Sequence, residues 1–120
     1  MLLSSGKVAT ILVVDDDPEV REIVSEILGD FGHSVVAAGG GIEALRLLDE
    51  TPGIDLVITD VRMPDISGLE LAARATRERH DLKVILISGY FLAQDTGIRV
   101  LRKPFRMTEL QAAVEAELAG

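Results

Sequence analysis

The chain of 120 residues is long enough for one domain with an ordinary hydrophobic core, and 48% of its residues are hydrophobic. Its net charge of −8 argues against direct binding to nucleic acid, because phosphate recognition needs clustered Lys and Arg. The absence of Cys excludes disulfides, Cys-based zinc sites and thiol nucleophiles, and it fits the cytoplasm. The longest apolar run, residues 8–14, is too short for a membrane span.

Short runs of mostly apolar residues alternate with longer amphipathic segments along the chain. Uninterrupted apolar runs of this length are typical of strands that are buried on both faces of a parallel sheet. The runs predict five strands, at residues 10–14, 34–38, 56–59, 83–87 and 99–102.

The segment after the first strand has the clearest helix signals. Asp17 is a predicted N-cap, Pro18 suits the first helical position, and Gly32 ends the pattern. The apolar residues recur at helical spacing and predict one buried stripe, which consists of Val20, Ile23, Val24, Ile27, Leu28 and Phe31.

Three further helices follow the second, third and fifth strands. The glycines at 39–41 predict a flexible break before the second helix, which ends before Pro52. The third helix is predicted from about residue 67 to 79, and the last helix is predicted to have Thr108 as its cap.

This alternation predicts an α/β fold with a doubly wound, five-stranded parallel sheet. The connection between the fourth and fifth strands departs from the pattern. Only ten residues, 89–98, separate these strands, and a crossover with its helix needs about 10–12 or more. Gly89 and Gly97 lie within the connection. We therefore predict that the helix between these strands is missing or vestigial.

Polar residues follow the strands at the edge where parallel α/β sheets bind ligands. Asp15 and Asp16 follow the first strand, Asp60 the third, Ser88 the fourth and Lys103 the fifth. The first and third strands are neighbours in either common doubly wound order, so three carboxylates should converge. Mg²⁺ would relieve their repulsion, and Ser88 and Lys103 would bind phosphoryl oxygens. The set predicts Mg²⁺-assisted phosphoryl transfer with a carboxylate nucleophile.

Four motifs in this order make the chain resemble the receiver domains of bacterial two-component response regulators, which have the CheY-like, flavodoxin-like fold. The resemblance covers about residues 9–118 and implies the strand order 2-1-3-4-5. The motifs are Val14-Asp15-Asp16-Asp17, Asp60 with Met63-Pro64 and Gly68, Ser88-Gly89, and Lys103-Pro104-Phe105.

The resemblance implies a role for each of these strand-end residues. Asp60 would accept a phosphoryl group from a phosphohistidine on a sensor histidine kinase or a histidine phosphotransfer protein. Asp15, Asp16, Asp60 and the backbone carbonyl of Arg62 would hold Mg²⁺. Ser88 and Lys103 would bind the acyl phosphate, and the Lys103–Pro104 peptide bond would be cis.

The chain also departs from the family at its signalling residues. Receivers typically carry Phe or Tyr three residues before the conserved Lys, as a rotameric switch, and that position is Val100 here. Ser88-Gly89-Tyr90 is similar to the Ser/Thr-Gly-Tyr variant of receivers with a reduced fourth helix. Our hypothesis is that Tyr90 takes over the aromatic role.

Two other functions compete with a phosphorylatable switch that does not turn over substrate. Asp15-x-Asp17 after a strand resembles the nucleophile motif of haloacid-dehalogenase-type phosphatases, with Asp15 as nucleophile, although the later acidic pair of that family is not found. A pseudo-receiver would keep the fold as a protein-interaction module without phosphorylation. Intact Asp16, Asp60 and Lys103 argue against it.

We expect one receiver domain over residues 1–120, with no effector domain. The chain would then be a stand-alone receiver or a piece of a hybrid kinase or longer regulator. We expect a cytoplasmic protein with no direct partner in nucleic acid or membrane. The edge left by the short connection between the last two strands suits a homodimer or a partner helix, and the output partner is not identified by the sequence.

Overall fold

Strands and helices alternate along the residues that the computed structural model describes, 8–89 and 96–119. The strands are β1 (Thr10–Val14), β2 (Ser34–Ala38), β3 (Leu56–Asp60), β4 (Lys83–Ser88) and β5 (Arg99–Arg102). The helices are α1 (Pro18–Asp30), α2 (Gly41–Glu50), α3 (Gly68–Glu78) and α4 (Met107–Ala119).

All five strands pair in parallel in one sheet, and their order is β2-β1-β3-β4-β5. The predicted doubly wound sheet and its strand order are therefore confirmed. The register places Val14 opposite Thr59, and Asp60 opposite Ile87. The carboxyl ends of β1, β3 and β4 consequently meet at one edge of the sheet.

Each face of the sheet has its own hydrophobic core, because alternate residues of a strand point to opposite faces. Leu12 and Val14 belong to the core that packs under α2 and α3. Ile11 and Val13 belong to the core under α1 and α4. Burial on both sides explains why β1, β3 and β4 are nearly continuous apolar runs and do not alternate with polar residues.

Helix α1 begins as the sequence predicts and differs at one position of its apolar stripe. The Asp17 side chain accepts a hydrogen bond from the Glu19 N–H at 3.0 Å, and Pro18 is the first helical residue. Val24 and Leu28 are buried, whereas Ile23 is 55% exposed. The prediction for Ile23 was wrong because a helix turns by about 100° per residue, so that the neighbours of Val24 lie well off the buried face.

Helix α4 begins at Met107, two residues before the position that a Thr108 cap would require. The Glu109 carboxylate accepts a hydrogen bond from the Arg106 N–H at 2.8 Å. This contact is the acidic half of a capping box, in which the third helical residue reaches back to the residue before the helix. Thr108 is therefore not the cap.

The connection between β4 and β5 contains no helix among its described residues, which are 89 and 96–98. This agrees with the predicted loss of the helix at that place. Residues 90–95 lie outside the described residues, and with them lies the prediction for Tyr90. No helix in the described part of the chain combines the length and hydropathy needed to cross a membrane.

His33 joins the chain before β2 to the chain before β1. Its Nδ1 atom accepts a hydrogen bond from the Ala9 N–H at 3.1 Å, which requires the neutral imidazole. Burial lowers the pKa of His33 from its ordinary value of 6.5, and Glu115 on α4 opposes this effect. The folded protein therefore favours neutral His33.

Lowering the pH should destabilise the fold through this histidine. Its stabilising contribution is complete above about pH 6.5 and is lost as the pH falls through the lowered pKa, because the unfolded chain binds the proton more readily. Urea unfolding at about pH 7.5 and about pH 5.5 would measure the loss. We expect a smaller loss for His33→Gln than for wild type. The exposed His80 provides the control, since His80→Gln should behave as wild type; equal losses in all three proteins would contradict the assignment.

Candidate functional site

Three carboxylates meet at the carboxyl edge of the sheet. Asp15 and Asp16 directly follow β1, and Asp60 is the last residue of β3. One oxygen atom from each side chain can be chosen so that all three lie within 4.8 Å of one another. The parallel register of β1 and β3 causes this convergence, as the sequence predicts.

Asp15 is the buried member of the cluster, with 2% of its surface exposed. Its Oδ1 atom accepts a hydrogen bond from the Asp17 N–H at 2.9 Å, and within the described residues Oδ2 accepts none. Burial raises the pKa of Asp15, and the nearby Asp60 adds to the rise. A buried carboxylate oxygen without a donor is costly in a folded protein unless a cation compensates it.

The Asp15 Oδ2 atom, which is buried and accepts no hydrogen bond within the described residues, is a structural observation in favour of a metal site. Mg²⁺ in proteins is usually bound by one or two carboxylates together with several water molecules. A cluster with buried and solvent-exposed carboxylates can supply both kinds of ligand. Asp15 is buried, Asp60 is partly buried and Asp16 is exposed, so the cluster is open to solvent on one side. The residues present therefore fit a hard divalent cation.

The Asp60 carboxylate is partly exposed to solvent, and it is also oriented by contacts with the protein. Its side chain is 16% exposed. Its Oδ1 atom accepts a hydrogen bond from the Arg62 N–H at 3.3 Å, and its Oδ2 atom lies 3.4 Å from the Lys103 Nζ atom. These contacts orient the carboxylate without surrounding it.

Lys103 and Ser88 come from the last two strands. The Lys103 N–H donates to the Ser88 carbonyl at 2.9 Å, which joins the residue after β5 to the end of β4. The Lys103 ammonium lies between two acids, since its distance to the Asp15 carboxylate is 3.9 Å. Ser88 is buried, and the Lys103–Pro104 peptide bond is cis, as the family resemblance implies.

Three residues hold the backbone of the site, and sequence reasoning missed two of them, Arg21 and Thr59. The Arg21 guanidinium donates to the Asp15 carbonyl at 2.7 Å. The buried Thr59 hydroxyl donates to the Asp60 carbonyl at 2.9 Å. Gly68 lies so close to Asp60 that a Cβ atom built on it would be 2.2 Å from the Asp60 carbonyl oxygen. Glycine at residue 68 was visible as a motif member, whereas the contacts of Arg21 and Thr59 leave no local pattern.

Of the two predicted signalling residues, the structure describes Val100. Val100 lies on β5 and is exposed at its side of the sheet. The valine side chain carries no aromatic ring that could act as a rotameric switch. Tyr90 lies outside the described residues.

Comparison with known proteins agrees with this geometry. The family model described as the response regulator receiver domain matches residues 11–115. The chain belongs to this family. Receivers of two-component systems are signalling switches that bind Mg²⁺ in an acidic pocket, and this receiver has a cluster of three carboxylates that could hold a metal ion.

Two relatives and one solved structure show how far the likeness extends. The receiver is 38% identical over 117 residues to the DNA-binding transcriptional regulator NtrC of Azospirillum brasilense, which covers 92% of this chain and 24% of that protein. It is 35% identical over 115 residues to the response regulator receiver protein CpdR of Brucella abortus, covering 90% of this chain and 95% of that one. The crystal structure of the response regulator TrrA from Thermotoga maritima in complex with Mg²⁺-BeF has a TM-score of 0.85 at 36% identity, covering 92% and 99% of the two chains.

Replacing Gly68 by Ala should disturb the fold at the site. The new methyl group would meet backbone atoms of Asp60, which cannot move without shifting the end of β3. We expect a destabilisation of about 1–3 kcal/mol, the usual range for overpacking, in urea unfolding. Gly53→Ala is the matched control, because a Cβ atom there meets nothing within 4 Å. Equal stability of the two variants would contradict the close contact.

Proposed function

We propose that this receiver accepts a phosphoryl group on Asp60 from a phosphohistidine and that phosphorylation switches its binding to an output partner. The observation that supports this most directly is the position of Lys103. Its ammonium is 3.4 Å from Asp60 and 3.9 Å from Asp15, within a cluster of three carboxylates. A cation and a carboxylate nucleophile side by side are the parts that phosphoryl transfer to an aspartate requires.

In the proposed transfer, an oxygen of the Asp60 carboxylate attacks the phosphorus atom. The phosphorus–nitrogen bond to the donor imidazole breaks, its electron pair stays on the nitrogen, and the released histidine takes up a proton from solvent. Lys103 and Ser88 bind oxygens of the transferred group, and the Arg62 N–H orients the attacking carboxylate. The product is an aspartyl phosphate with its charge held against Lys103.

Asp15, Asp16, Asp60 and the backbone carbonyl of Arg62 would hold Mg²⁺ in this receiver. When bound, the ion supplies positive charge against the phosphoryl oxygens. Asp15 provides the buried anchor for the ion, because its Oδ2 atom has no donor among the described residues. Asp16, which is exposed, provides the side open to water.

The partners and context of the whole protein are part of the proposal. The phosphodonor would be a sensor histidine kinase or a histidine phosphotransfer protein in the cytoplasm. The receiver would form one domain over residues 1–120. It would have no catalytic turnover apart from its own slow self-phosphorylation and dephosphorylation. It would act alone or as part of a longer regulator. Both arrangements suit the relatives, since the chain matches about a quarter of NtrC and nearly all of CpdR.

The phosphatase alternative is less well supported. It needs both Asp15 and Asp17 as working acids, and the Asp17 carboxylate is occupied as the cap of α1, where it accepts the Glu19 N–H. The pseudo-receiver alternative is less well supported because Asp15, Asp16, Asp60 and Lys103 are all present and close together.

Asp60→Asn should abolish phosphorylation. With Mg²⁺ and acetyl phosphate, intact-mass spectrometry should show one added phosphoryl group on wild type and none on the variant, because the amide is a poor nucleophile. Chelation of Mg²⁺ before acetyl phosphate is added should prevent the labelling of wild type as well.

Asp55→Asn is the matched control for this experiment. Asp55 precedes the same strand at its opposite end, where its carboxylate accepts the Thr10 N–H, so this variant should label as wild type. A label retained in Asp60→Asn would refute Asp60 as the acceptor, and a label found on Asp15 would favour the phosphatase alternative.

Tyr90→Ala should separate phosphorylation from its readout, since the switch position Val100 carries no ring. We expect the variant to gain the phosphoryl group normally but to lose the phosphorylation-dependent changes in amide chemical shifts. Phe91→Ala, which removes the neighbouring ring, should keep them. Phosphorylation-dependent shift changes in Tyr90→Ala as large as those in wild type would refute the proposed role.

A further inference from the structure

Helix α2 begins without a capping side chain of its own. Its N-cap residue is Gly40, which makes no side-chain hydrogen bond to the helix. The first two N–H groups of the helix donate instead to Asp65, from Gly41 to Oδ1 at 3.2 Å and from Ile42 to Oδ2 at 2.9 Å. The carboxylate thus occupies the place of a cap, where the positive end of the helix dipole stabilises a negative charge.

Asp65 belongs to the loop between β3 and α3, residues 61–67, which we call the acceptor loop because it follows Asp60. Its Oδ1 atom also accepts the N–H of Ile66 in this loop, at 2.7 Å. Hydrogen bonds from Ile42 and Ile66 lower the pKa of Asp65, so the charged form is favoured. One carboxylate therefore connects the acceptor loop to α2 across 23 residues of sequence.

The backbone at the start of α2 lies so close to the acceptor loop that Gly40 and Gly41 have no room for a side chain. A Cβ atom on Gly41 would lie 2.3 Å from the Ile66 Cγ1 atom, and one on Gly40 would lie 2.9 Å from the Asp65 Oδ2 atom. Two of the three glycines that the sequence presents as a flexible break, Gly40 and Gly41, therefore pack against the acceptor loop.

The two ends of the acceptor loop are tied to the functional site and to α3. At its beginning, the Arg62 N–H donates to the Asp60 carboxylate. At its end, the Gly68 N–H donates to the Val61 carbonyl at 2.8 Å. The Asp65 carboxylate connects the loop to α2 by hydrogen bonds. Arg62, whose carbonyl is a proposed Mg²⁺ ligand, lies between Asp60 and Asp65 in the sequence.

We propose that Asp65 is a positioning residue, which holds the acceptor loop against the N-terminus of α2 and thereby sets the Arg62 backbone for Mg²⁺ binding beside Asp60. This proposal rests on the proposed function. Asp65 acts through the loop and does not itself contact the metal or the phosphoryl group.

The test is Mg²⁺ binding measured by calorimetry on wild type, Asp65→Ala and Asp65→Asn. Asp65→Ala removes both the acceptor oxygens and the charge, and we expect it to weaken Mg²⁺ binding about tenfold, which is the lower end for residues that orient metal ligands. Asp65→Asn keeps one acceptor oxygen without the charge. We expect its affinity to lie closer to wild type than to Asp65→Ala, with the labelling rate by acetyl phosphate following the same order.

Asp55→Ala is the control for loss of stability, because it also removes a carboxylate that accepts a backbone N–H, at the opposite end of the sheet. It should bind Mg²⁺ as wild type does. Unchanged affinity in Asp65→Ala would overturn the positioning role, and equal weakening in Asp65→Ala and Asp65→Asn would overturn it in favour of long-range charge. Wild type that neither binds Mg²⁺ nor takes up phosphoryl would overturn the proposed function as well, so the two failures are distinguishable.

Discussion

Hydrogen bonds between β1 and β3 hold Val14 opposite Thr59, and the acids that follow, Asp15 and Asp60, are thereby brought to the same edge of the sheet. Carboxylates this close repel one another unless a cation lies among them. Lys103, which follows the edge strand β5, supplies one positive charge. Three carboxylates beside one ammonium leave a net negative charge, which attracts a further cation.

The stability of such a site has to come from elsewhere in the fold. Asp15 is buried with one oxygen that accepts no hydrogen bond within the described residues, which is unfavourable, and the Lys103 ammonium at 3.9 Å compensates it in part. The two apolar cores on either side of the sheet contribute the compensating stability, and they also make the strands rigid supports for the acids at their ends.

Close backbone contacts complete the positioning of Asp60 and of the loop that follows it. Gly68 packs on the Asp60 carbonyl, and Gly41 packs on Ile66 in the acceptor loop. In both places a helix starts where another segment leaves no room for a side chain. These glycines and Asp65 contact the loop that follows Asp60, so close packing accounts for the glycines without any need for local flexibility.

The sequence by itself determined the strands, the burial of β1, β3 and β4 on both faces, the cap at Asp17 and the set of polar residues at the strand ends, because these depend on periodicity and on local backbone preferences. Only the tertiary structure decided that Ile23 faces solvent and that Asp65 caps α2. Such contacts join residues far apart in sequence, or depend on where a neighbouring element lies, and local patterns carry no information about either. For the same reason, the acids could be predicted to converge, whereas the loop that holds them in place could not.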